Sequence, residues 1–462
     1  MGIHMQRVLY WVNRDLRVED NIALHLAQES TQLICVYIID QQCFESNQYQ
    51  SKSLGEKRWQ FLQACLHEMN NRLSNLGQKL YVVYGDTLTS LTSLCEQYQI
   101  TDLITTKVPG SDENKTLSNL CERHPDITLR HIDQFTLFSE QHLPFEIQAL
   151  PGSYSKFRKL VSKTPIQAPL EAVTSLPKMF DSAPELRLYD VQPLTALTKV
   201  QPHQGHCFQG GEGAALQHLN DYFSSSLPST YKDVRNHLDG WENSSKFSPW
   251  INYGCLSVRQ IMQKINLYEQ TVERNKSTEA LYLELLWRDY FQWLHFKVGS
   301  KLYQFKGLMS HPPLTSFYPE RFKKWCLGKT PFPLVNACMN ELRLSGYLSN
   351  RGRQIVASCL VNELSVDWRY GAAWFEEQLI DYDAAVNWGN WQYIAGVGVD
   401  PRGGRHFNLT KQTNTYDLNG EYQHKWLDEP FDNTHTLDSV DASDWPIAFT
   451  TKDNQLRDHN KK

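Results

Sequence analysis

The sequence predicts two domains of different class: an α/β domain built on a doubly wound parallel sheet, and then a large all-helical domain. Three observations support this prediction. Short β-rich apolar runs alternate with helical patterns over residues 1–130, strand signals almost vanish after Gly210, and eleven of the 13 tryptophans follow Asp239. A chain of 462 residues with 41% hydrophobic content is long enough for two or three domains with a substantial core.

The α/β prediction depends on four buried-strand patterns: RVLYWVN, LICVYIID, KLYVVYG and DLITTKV. Between them, EKRWQFLQACLHEMNNRL and LTSLTSLCEQYQ have apolar residues at helical spacing, which indicates a parallel sheet covered on both faces. A ligand is expected at the carboxyl ends of the strands, where the strand order reverses. No GxGxxG follows the first strand; NRDLRVEDNIAL does, and from its chemistry alone it is a charged loop in which Asp20 or Asn21 caps the next helix.

Three further segments complete the predicted organisation. Residues 131–205 contain eight of the 20 prolines and are predicted to be an inter-domain connector, with a short helix at SYSKFRKLVSK. Residues 206–425 form the helical domain, with helices predicted at EGAALQHLNDYFSSSL, SVRQIMQKINLYEQTV, STEALYLELLWRDYFQWLHFKV, LVNACMNELRLSGYL, GRQIVASCLVNEL and GAAWFEEQLID. Residues 426–462 are predicted to be an acidic, polar tail.

Composition limits the possible functions. The net charge of -5 is mild, so a nucleic-acid site would require a local basic patch. The ten cysteines include no CxxC pair, which argues against a disulfide framework and a structural metal site and favours a reducing cytoplasm. The start, MGIHMQRVLYW, lacks the apolar run of a signal peptide, and no later run is long enough to span a membrane.

Residues 346–396 combine charged side chains, among them arginines and aspartates, with four tryptophans inside apolar runs. Charges in an apolar setting are costly unless they pair with one another or with a ligand. The pattern therefore suggests a buried, flat cofactor with a polar edge and an aromatic route to the surface. The alternative is an ordinary helical core with surface ion pairs, and residue types alone do not separate the two.

Two other clusters have the chemistry of a binding site. Ser244, Ser245 and Ser248 precede a predicted helix, where hydroxyls and free backbone N–H groups can accept phosphate oxygens or simply cap the helix. Glu284, Trp287 and Arg288 share one helix face, so they can stack a base and bond its edge. The commoner arrangement of such residues is a surface Glu–Arg pair beside a half-buried tryptophan.

Taken together, these segments resemble the photolyase/cryptochrome family, and more narrowly its DASH cryptochrome branch. The resemblance covers nearly the whole chain and rests on collinear motifs: NRDLRVEDNIAL, GGEGAALQHLNDY, YKDVRN, SSKFSPWINYGCLS, ELLWRDYF, GYLSNRGRQIVAS, DWRYGAAWFE and LIDYDAAVNWGNWQYIAGVGVDPR. It implies an α/β antenna-binding domain joined to a helical domain that holds FAD in a bent conformation.

The resemblance implies a cofactor role for eleven residues: Tyr231, Ser244, Ser245, Phe247, Ser248, Arg288, Asn350, Arg353, Asp381, Asp383 and Asn387. Arg353 and Asp381 would pair against the flavin ring, and Asn387 would face its N5 atom. A neutral amide at that position accommodates a reduced anionic flavin without like-charge repulsion.

The implied reaction is the blue-light-driven cleavage of a cyclobutane pyrimidine dimer that is flipped into the pocket, by electron transfer from excited FADH⁻. Catalytic roles are implied for Glu284, Asn350, Asn387, Trp391 and Trp368. DNA contacts are implied for Trp287, Arg351, Gln354, Tyr393, Arg402 and Arg405, with Lys411 as a further candidate, although loop charges are as often merely solvated.

Sequence differences narrow the branch. Gln354 and Tyr393 stand where the duplex-specific dimer enzymes carry Met and Trp, which matches the DASH pattern and implies single-stranded DNA as the main substrate. The (6-4) photolyases carry histidines where Asn350 and Gln354 stand, so that activity is disfavoured. All ten cysteines lie at or before Cys359, which argues against the iron–sulfur photolyases with their C-terminal ligands.

Two implied features are less completely matched. The electron relay would run through Trp391 and Trp368, and its distal member would be Trp325 or a tyrosine such as Tyr318. The antenna would be 5,10-methenyltetrahydrofolate between the domains, contacted by Glu113.

The resemblance leaves alternatives open. A blue-light photoreceptor that signals through a partner is the main rival, and binding of DNA or RNA without catalysis is a third hypothesis. A monomer in the cytoplasm, or in an organelle or nucleus of a eukaryote, is expected, with RNA as a further candidate partner.

Overall fold

The computed structural model describes residues 6–190, 207–399 and 404–427. The strands are β1 (Arg7–Trp11), β2 (Gln32–Asp40), β3 (Leu80–Gly85), β4 (Asp102–Thr106) and β5 (Thr128–Ile132). The helices are α1 (Ile22–Ala27), α2 (Glu56–Asn75), α3 (Thr87–Tyr98), α4 (Ser111–Arg123), α5 (Tyr154–Val161), α6 (Glu212–Phe223), α7 (Leu227–Val234), α8 (Ser248–Tyr253), α9 (Val258–Thr271), α10 (Lys276–Val298), α11 (Pro319–Cys326), α12 (Pro333–Ser345), α13 (Asn350–Ser358), α14 (Trp368–Gln378), α15 (Ala384–Ala395), α16 (Leu409–Tyr416) and α17 (Glu421–Trp426).

The first domain is a five-stranded parallel sheet in the order β3-β2-β1-β4-β5. The four predicted strands form β1 to β4, and helices cover both faces, so the predicted doubly wound architecture is confirmed. The fifth strand was not predicted. Its sequence, TLRHI, is mostly half-exposed, because it lies at the edge of the sheet and lacks the continuous apolar run of a central strand.

The carboxyl end of β1 is filled by protein side chains. Tyr10 donates to Asp15 at 2.6 Å, and Gln134 donates to the same carboxylate at 3.0 Å. Asn21 caps α1 by accepting from the Leu24 N–H. The ligand expected at this edge of the sheet therefore does not find room at β1 itself.

The segment after β1 instead joins the two domains. Asp20 forms a fully buried ion pair with Arg259 of α9 at 2.7 Å, and its backbone φ of +52° lies in the left-handed region. Arg17 donates to the carbonyl of Gly254, also in the helical domain. The charges of NRDLRVEDNIAL are therefore largely contacts at the domain boundary rather than solvated loop charges.

The described part of the predicted connector, up to residue 190, packs against the sheet. Leu33 N–H donates to Lys178 O at 3.0 Å, and Tyr84 N–H donates to Arg187 O at 2.8 Å. The helix predicted from SYSKFRKLVSK is α5, and it lies against α10. The rest of the predicted connector and the predicted tail beyond residue 427 lie outside the described residues.

The second domain is helical, from α6 to α17. Its longest helix, α10, spans 23 residues and borders both the connector and the later helices. Helix α13 continues into a π-helical turn at Cys359–Glu363, and such turns are frequent near functional sites. Within the described ranges no helix is apolar and long enough to cross a bilayer, and no group of three His, Cys, Asp or Glu side chains is arranged to hold a metal ion.

Candidate active site

The helical domain brings one ion pair to the centre of the candidate site. Arg353, on the first turns of α13, donates to both oxygens of Asp381 at 3.0 and 2.8 Å. Ser248, which begins α8, donates to the same carboxylate at 2.6 Å. Asp381 is almost completely buried, so the guanidinium and the hydroxyl offset the cost of placing its charge there. Three segments far apart in sequence therefore meet at one carboxylate.

The start of α15 adds a fixed carboxylate and a fixed amide. Asp383 caps the helix by accepting from the Val386 N–H and also accepts from Gln292 of α10 at 2.7 Å. Asn387, one turn later, donates through Nδ2 to Ala372 O at 3.0 Å, and no described residue donates to its Oδ1. The amide therefore presents an acceptor to the site.

Arg288 on α10 has an unsatisfied donor. Its guanidinium lies over the Phe135 ring at 4.1 Å and donates to Phe135 O through Nη1, whereas Nη2 is buried without a hydrogen-bond partner among the described residues. Burial lowers the pKa of this guanidinium, and the charge of Asp383 partly opposes that shift. A buried guanidinium nitrogen without a partner is costly, so an acceptor supplied by a ligand fits here.

Glu284, one turn before Arg288, contacts the guanidinium of Arg235, just after α7. Burial raises the pKa of the Glu284 carboxyl, and the charge of Arg235 opposes that rise. The same buried environment raises the pKa of Tyr231 on α7, through burial first and then the charge of Glu284. Tyr231 and Glu284 therefore lie in one partly desolvated corner.

The predicted serine cluster is a short loop that leads into α8. Ser244 and Ser245 are half-buried, Phe247 is buried and Ser248 is exposed. Between them Lys246 is buried, with a φ of +54°, and its ammonium group donates to the Tyr347 hydroxyl at 2.9 Å. The loop thus brings a cation near three hydroxyls, a feature that the serines alone did not indicate.

The Trp287 indole stacks on Tyr154 of α5, with ring centroids 3.7 Å apart and planes 10° apart. The Tyr154 hydroxyl donates to Leu283 O of α10, which holds the phenol ring against the helix. Sequence reasoning missed Tyr154, because it lies in the predicted connector and 133 positions from its partner. The only available signal was the predicted short helix, which gave no partner.

Of the predicted DNA-contacting residues, Arg351 and Arg405 both lie beside aromatic rings. Arg351 donates to Asn236 at 3.0 Å, and its guanidinium lies 5.0 Å from the Tyr416 ring centre. Arg405 contacts the Tyr393 hydroxyl. On the same helix as Arg351, the predicted DNA contact Gln354 is half-buried, and Asn350, predicted to have catalytic and cofactor roles, is exposed. Lys411 is an exposed residue of α16, and Arg402 lies outside the described residues.

The predicted relay tryptophans are all buried, but their order differs from the expectation. Trp325 lies directly against Trp391, with ring centroids 6.2 Å apart, and Phe375 contacts both rings. Trp368 packs on Trp388 at 5.7 Å. Trp325, predicted as one of two candidates for the distal member, is completely buried, and Phe322 packs on its ring.

Glu113, the predicted antenna contact, lies on α4 and faces the helical domain. The pKa of Tyr303 is raised, first by burial and then by the charges of Glu376 and Glu113. Burial raises the pKa of Cys43 to about 11, and the charge of Glu113 adds to that rise. Cys43 follows β2 and Glu113 follows β4, so both belong to the carboxyl edge of the sheet.

Comparison with known proteins identifies the family. The family model described as "DNA photolyase" matches residues 8–175, and the model described as "FAD binding domain of DNA photolyase" matches residues 281–441. A cryptochrome DASH from Idiomarina loihiensis is 46% identical over 443 residues, covering 95% of this chain and 96% of that protein. The chain belongs to the DASH cryptochromes of the photolyase/cryptochrome family. The resemblance stated from its motifs is confirmed.

Other relatives agree with this assignment. The cryptochrome DASH of Vibrio parahaemolyticus is 43% identical, covering 95% of this chain and 97% of that protein. The solved structure of the Synechocystis sp. cryptochrome superposes with a TM-score of 0.86 at 35% identity, covering 99% of both chains. A bacterial class III photolyase from Agrobacterium tumefaciens, at 23% identity and a TM-score of 0.78, has the same fold. A photolyase fold with an FAD-binding helical domain is therefore established.

The donors and acceptors of the site fit FAD. Arg288 offers an unsatisfied buried donor, Asn387 offers a free amide oxygen, and Ser248 and Arg353 meet at Asp381. All of these residues lie within the matched FAD-binding domain, residues 281–441, except Ser248, which precedes it. The individual cofactor, catalytic and DNA roles of the predicted residues are proposals.

Proposed function

We propose that this chain splits cyclobutane pyrimidine dimers under blue light, mainly in single-stranded DNA. The observation that supports this most directly is the single helix face of α10 that bears Glu284, Trp287 and Arg288. A carboxyl with a raised pKa lies one turn before an indole and a buried guanidinium with a free donor, which are carried by adjacent residues. One rigid helix could therefore hold a lesion and a flavin next to each other.

Arg288, Arg353, Asp381 and Asn387 would position the flavin. When FAD is bound in its reduced form it supplies light absorption and a reversible one-electron transfer. Arg353, held by Asp381, would present positive charge to the ring, and Asn387 Oδ1 would accept a hydrogen bond from a protonated ring nitrogen. The hydroxyls of Tyr231, Ser244 and Ser245 would donate to the pyrophosphate side, with Phe247 as a packing surface. Ser248 would have to turn its hydroxyl away from Asp381 to do the same.

Glu284 would hold the lesion through a hydrogen bond. Its carboxylate, paired with Arg235, can accept a charge-assisted hydrogen bond from a pyrimidine ring N–H. Asn350 would bond the second base, and Trp287 would stack against the dimer. Arg351 and Arg405 would contact the DNA backbone at the rim.

The preference for single strands is proposed from the pocket wall. Gln354 is polar, and the Tyr393 hydroxyl is tied to Arg405. This wall offers less apolar surface than Met and Trp would, so less binding energy is available to offset the disruption of base pairs. In a single strand that cost is absent. RNA would enter the same pocket only where a dimer of uracils is present.

The antenna is proposed to be 5,10-methenyltetrahydrofolate, bound where Glu113 faces Tyr303. The carboxylate would accept hydrogen bonds from the pterin edge, because a carboxylate is an acceptor-only group. We also propose that the protein acts as a monomer.

The decisive test compares wild-type protein and Glu284→Gln on a single-stranded oligonucleotide with one dimer, in blue light and in darkness, with the flavin chemically reduced. Wild type should repair only in light. Glu284→Gln should bind flavin normally and repair about 10- to 100-fold more slowly, since one charge-assisted hydrogen bond to the substrate contributes about 1.5–3 kcal/mol.

Three outcomes count against the proposal. Loss of flavin from Glu284→Gln would move this residue to the cofactor site. Faster repair of duplex than of single-stranded substrate would refute the strand preference. Light-driven flavin reduction without any repair would favour the photoreceptor hypothesis.

A further inference from the structure

A lysine-lined cavity opens beside the candidate active site. It has a volume of about 360 Å³, and its walls come from the segment before α5, the end of α10 and the segment around Gly307. The lining residues that matter here are three lysines, here called the rim (Lys297, Lys301 and Lys306), and three apolar residues, here called the floor (Leu294, Leu308 and Met309). Leu294 is buried, and Met309 is 39% exposed. None of the residues described along its walls is acidic.

This distribution of charge is unusual for the molecule. The chain has a net charge of -5, yet three ammonium groups surround one cavity without a carboxylate in its walls. Lys297 is held in place because its ammonium group donates to Leu150 O at 2.8 Å. Lys301 and Lys306 are exposed. An apolar floor beneath a cationic rim complements a flat base attached to phosphates.

The cavity lies in line with the proposed lesion site. Leu294 is seven residues beyond Trp287 on α10, which places it on nearly the same helix face, about 10 Å further along the axis. The cavity wall Pro151 accepts from the Tyr290 hydroxyl at 3.1 Å, and the same segment leads into Tyr154, which stacks on Trp287. About three stacked nucleotides span such a distance, since one strand rises about 3.4 Å per nucleotide.

We propose that the cavity binds a nucleotide of the same DNA strand about two to three positions from the dimer, with its base on the apolar floor and its flanking phosphates at Lys301 and Lys306. This inference rests on the proposed single-strand substrate and adds to it a second contact point. A flexible single strand can turn its base into the cavity without losing a base pair, whereas a duplex cannot. The cavity would therefore contribute to the strand preference as well as to affinity.

The test uses single-stranded oligonucleotides with a dimer at one end and zero to six nucleotides of flank on either side. Fluorescence anisotropy gives the Kd as a function of salt for wild type and for Lys301→Gln/Lys306→Gln. Wild-type affinity should rise with the flank on one side only and level off at about three nucleotides. In the double variant the salt slope of log K should fall by about 1.4, or about 25-fold in affinity at 0.1 M salt, because each phosphate contact on a single strand contributes about 0.7.

A second variant tests entry into the cavity separately from charge. A Cβ added at Gly152 would meet no atom within 4 Å, and Gly152 lines the cavity, so Gly152→Trp should place an indole at its opening without a clash at Cβ. This variant should lose the gain in affinity from the flank and still repair an unflanked dimer at the wild-type rate. Lys115→Gln/Lys329→Gln, two exposed lysines outside the cavity, is the charge-matched control and should behave as wild type.

The outcomes separate the two proposals. If wild type neither binds nor repairs the dimer, the proposed function fails. If wild type repairs the dimer but its affinity does not depend on the length of the flank, the cavity inference is refuted. It is also refuted if the cavity double variant and the control double variant lose the same affinity. An effect of the lysine variant without an effect of Gly152→Trp would also refute it, since the lysines would then act from the surface and no base would enter.

Discussion

The stack of Tyr154 on Trp287 gives a prediction that separates binding from chemistry. Tyr154→Leu removes the ring that lies 3.7 Å from the indole and parallel to it. Aromatic pairs of this kind contribute about 0.5–1.5 kcal/mol beyond the area they bury. If that energy orients Trp287 for stacking on the dimer, affinity for the lesion should fall by about 2- to 13-fold, at 1.36 kcal/mol per tenfold.

Tyr154→Phe is the matched variant, because it keeps the ring and removes only the hydroxyl bond to Leu283 O. That bond should contribute about 0.5–1.5 kcal/mol to stability and little to binding. Fluorescence anisotropy with a dimer-containing single strand gives Kd, and repair under saturating substrate gives the turnover rate. We expect Tyr154→Leu to raise Kd and KM with the turnover rate unchanged, and Tyr154→Phe to bind within about twofold of wild type.

Leu160→Ala controls for general disturbance of α5, since Leu160 is on the same helix and half exposed. It should leave Kd unchanged. Equal losses in Leu160→Ala and Tyr154→Leu would refute the reasoning, because the effect would then belong to the helix and not to the stack. A lower turnover rate at saturation in Tyr154→Leu would refute it as well, since an indole that only helps binding should not change the bound reaction.

Two further predictions concern electron supply and pH. Trp391→Phe should abolish light-driven reduction of oxidised flavin, and Trp325→Phe should slow it, because the two rings are in contact; an unchanged rate of photoreduction, followed by absorption under blue light, would mean that the relay avoids these residues. Burial raises the pKa of Glu341 to about 8, although Tyr422 donates to its carboxylate. Because the folded protein binds this proton more tightly than the unfolded chain does, the contribution of Glu341 to the free energy of unfolding is fully present below about pH 4.5 and is lost as the pH rises through 8. The loss amounts to about 4–5 kcal/mol, at 1.36 kcal/mol per pKa unit. In denaturant unfolding from pH 5 to 9, the free energy of unfolding should therefore fall more steeply with pH for wild type than for Glu341→Gln. Parallel pH profiles of the two proteins would contradict this.

The sequence predicted those parts of the fold whose signals are local. The runs of β1 to β4 are apolar because both faces of a parallel sheet are covered, so each strand can be recognised from its own residues. β5 escaped recognition because TLRHI has polar Thr128, Arg130 and His131 in place of a continuous apolar run, whereas β3, at the opposite edge of the sheet, has such a run. The length of α10 was also recoverable, since its pattern continues for 23 residues without a breaker.

The candidate site divides in the same way. Glu284, Trp287 and Arg288 could be grouped from spacing alone, because helix geometry fixes which side chains share a face. The pairing of Arg353 with Asp381 came only from family resemblance, since 28 residues and two helices separate them. Phe135 and Lys246 were missed because each reaches the site from a segment without a periodic pattern of its own. Tyr154 was missed because its short helix was predicted without any indication of the partner it packs on.

The position of Trp325 shows why resemblance assigns residues better than it orders them. A motif match identifies a tryptophan by its place in the chain, but the order of electron transfer depends on distances between rings. Helix α11 carries Trp325 inwards to donate from its indole to Val356 O, and this contact places it beside Trp391. An aromatic route to the surface must then leave by Phe322 and its neighbours or by the separate pair Trp368 and Trp388. Trp368 and Trp388 are as buried as Trp325, so burial does not select one of these routes. Because tryptophan is oxidised more readily than phenylalanine, we propose that Trp325, in contact with Trp391, shares charge with it.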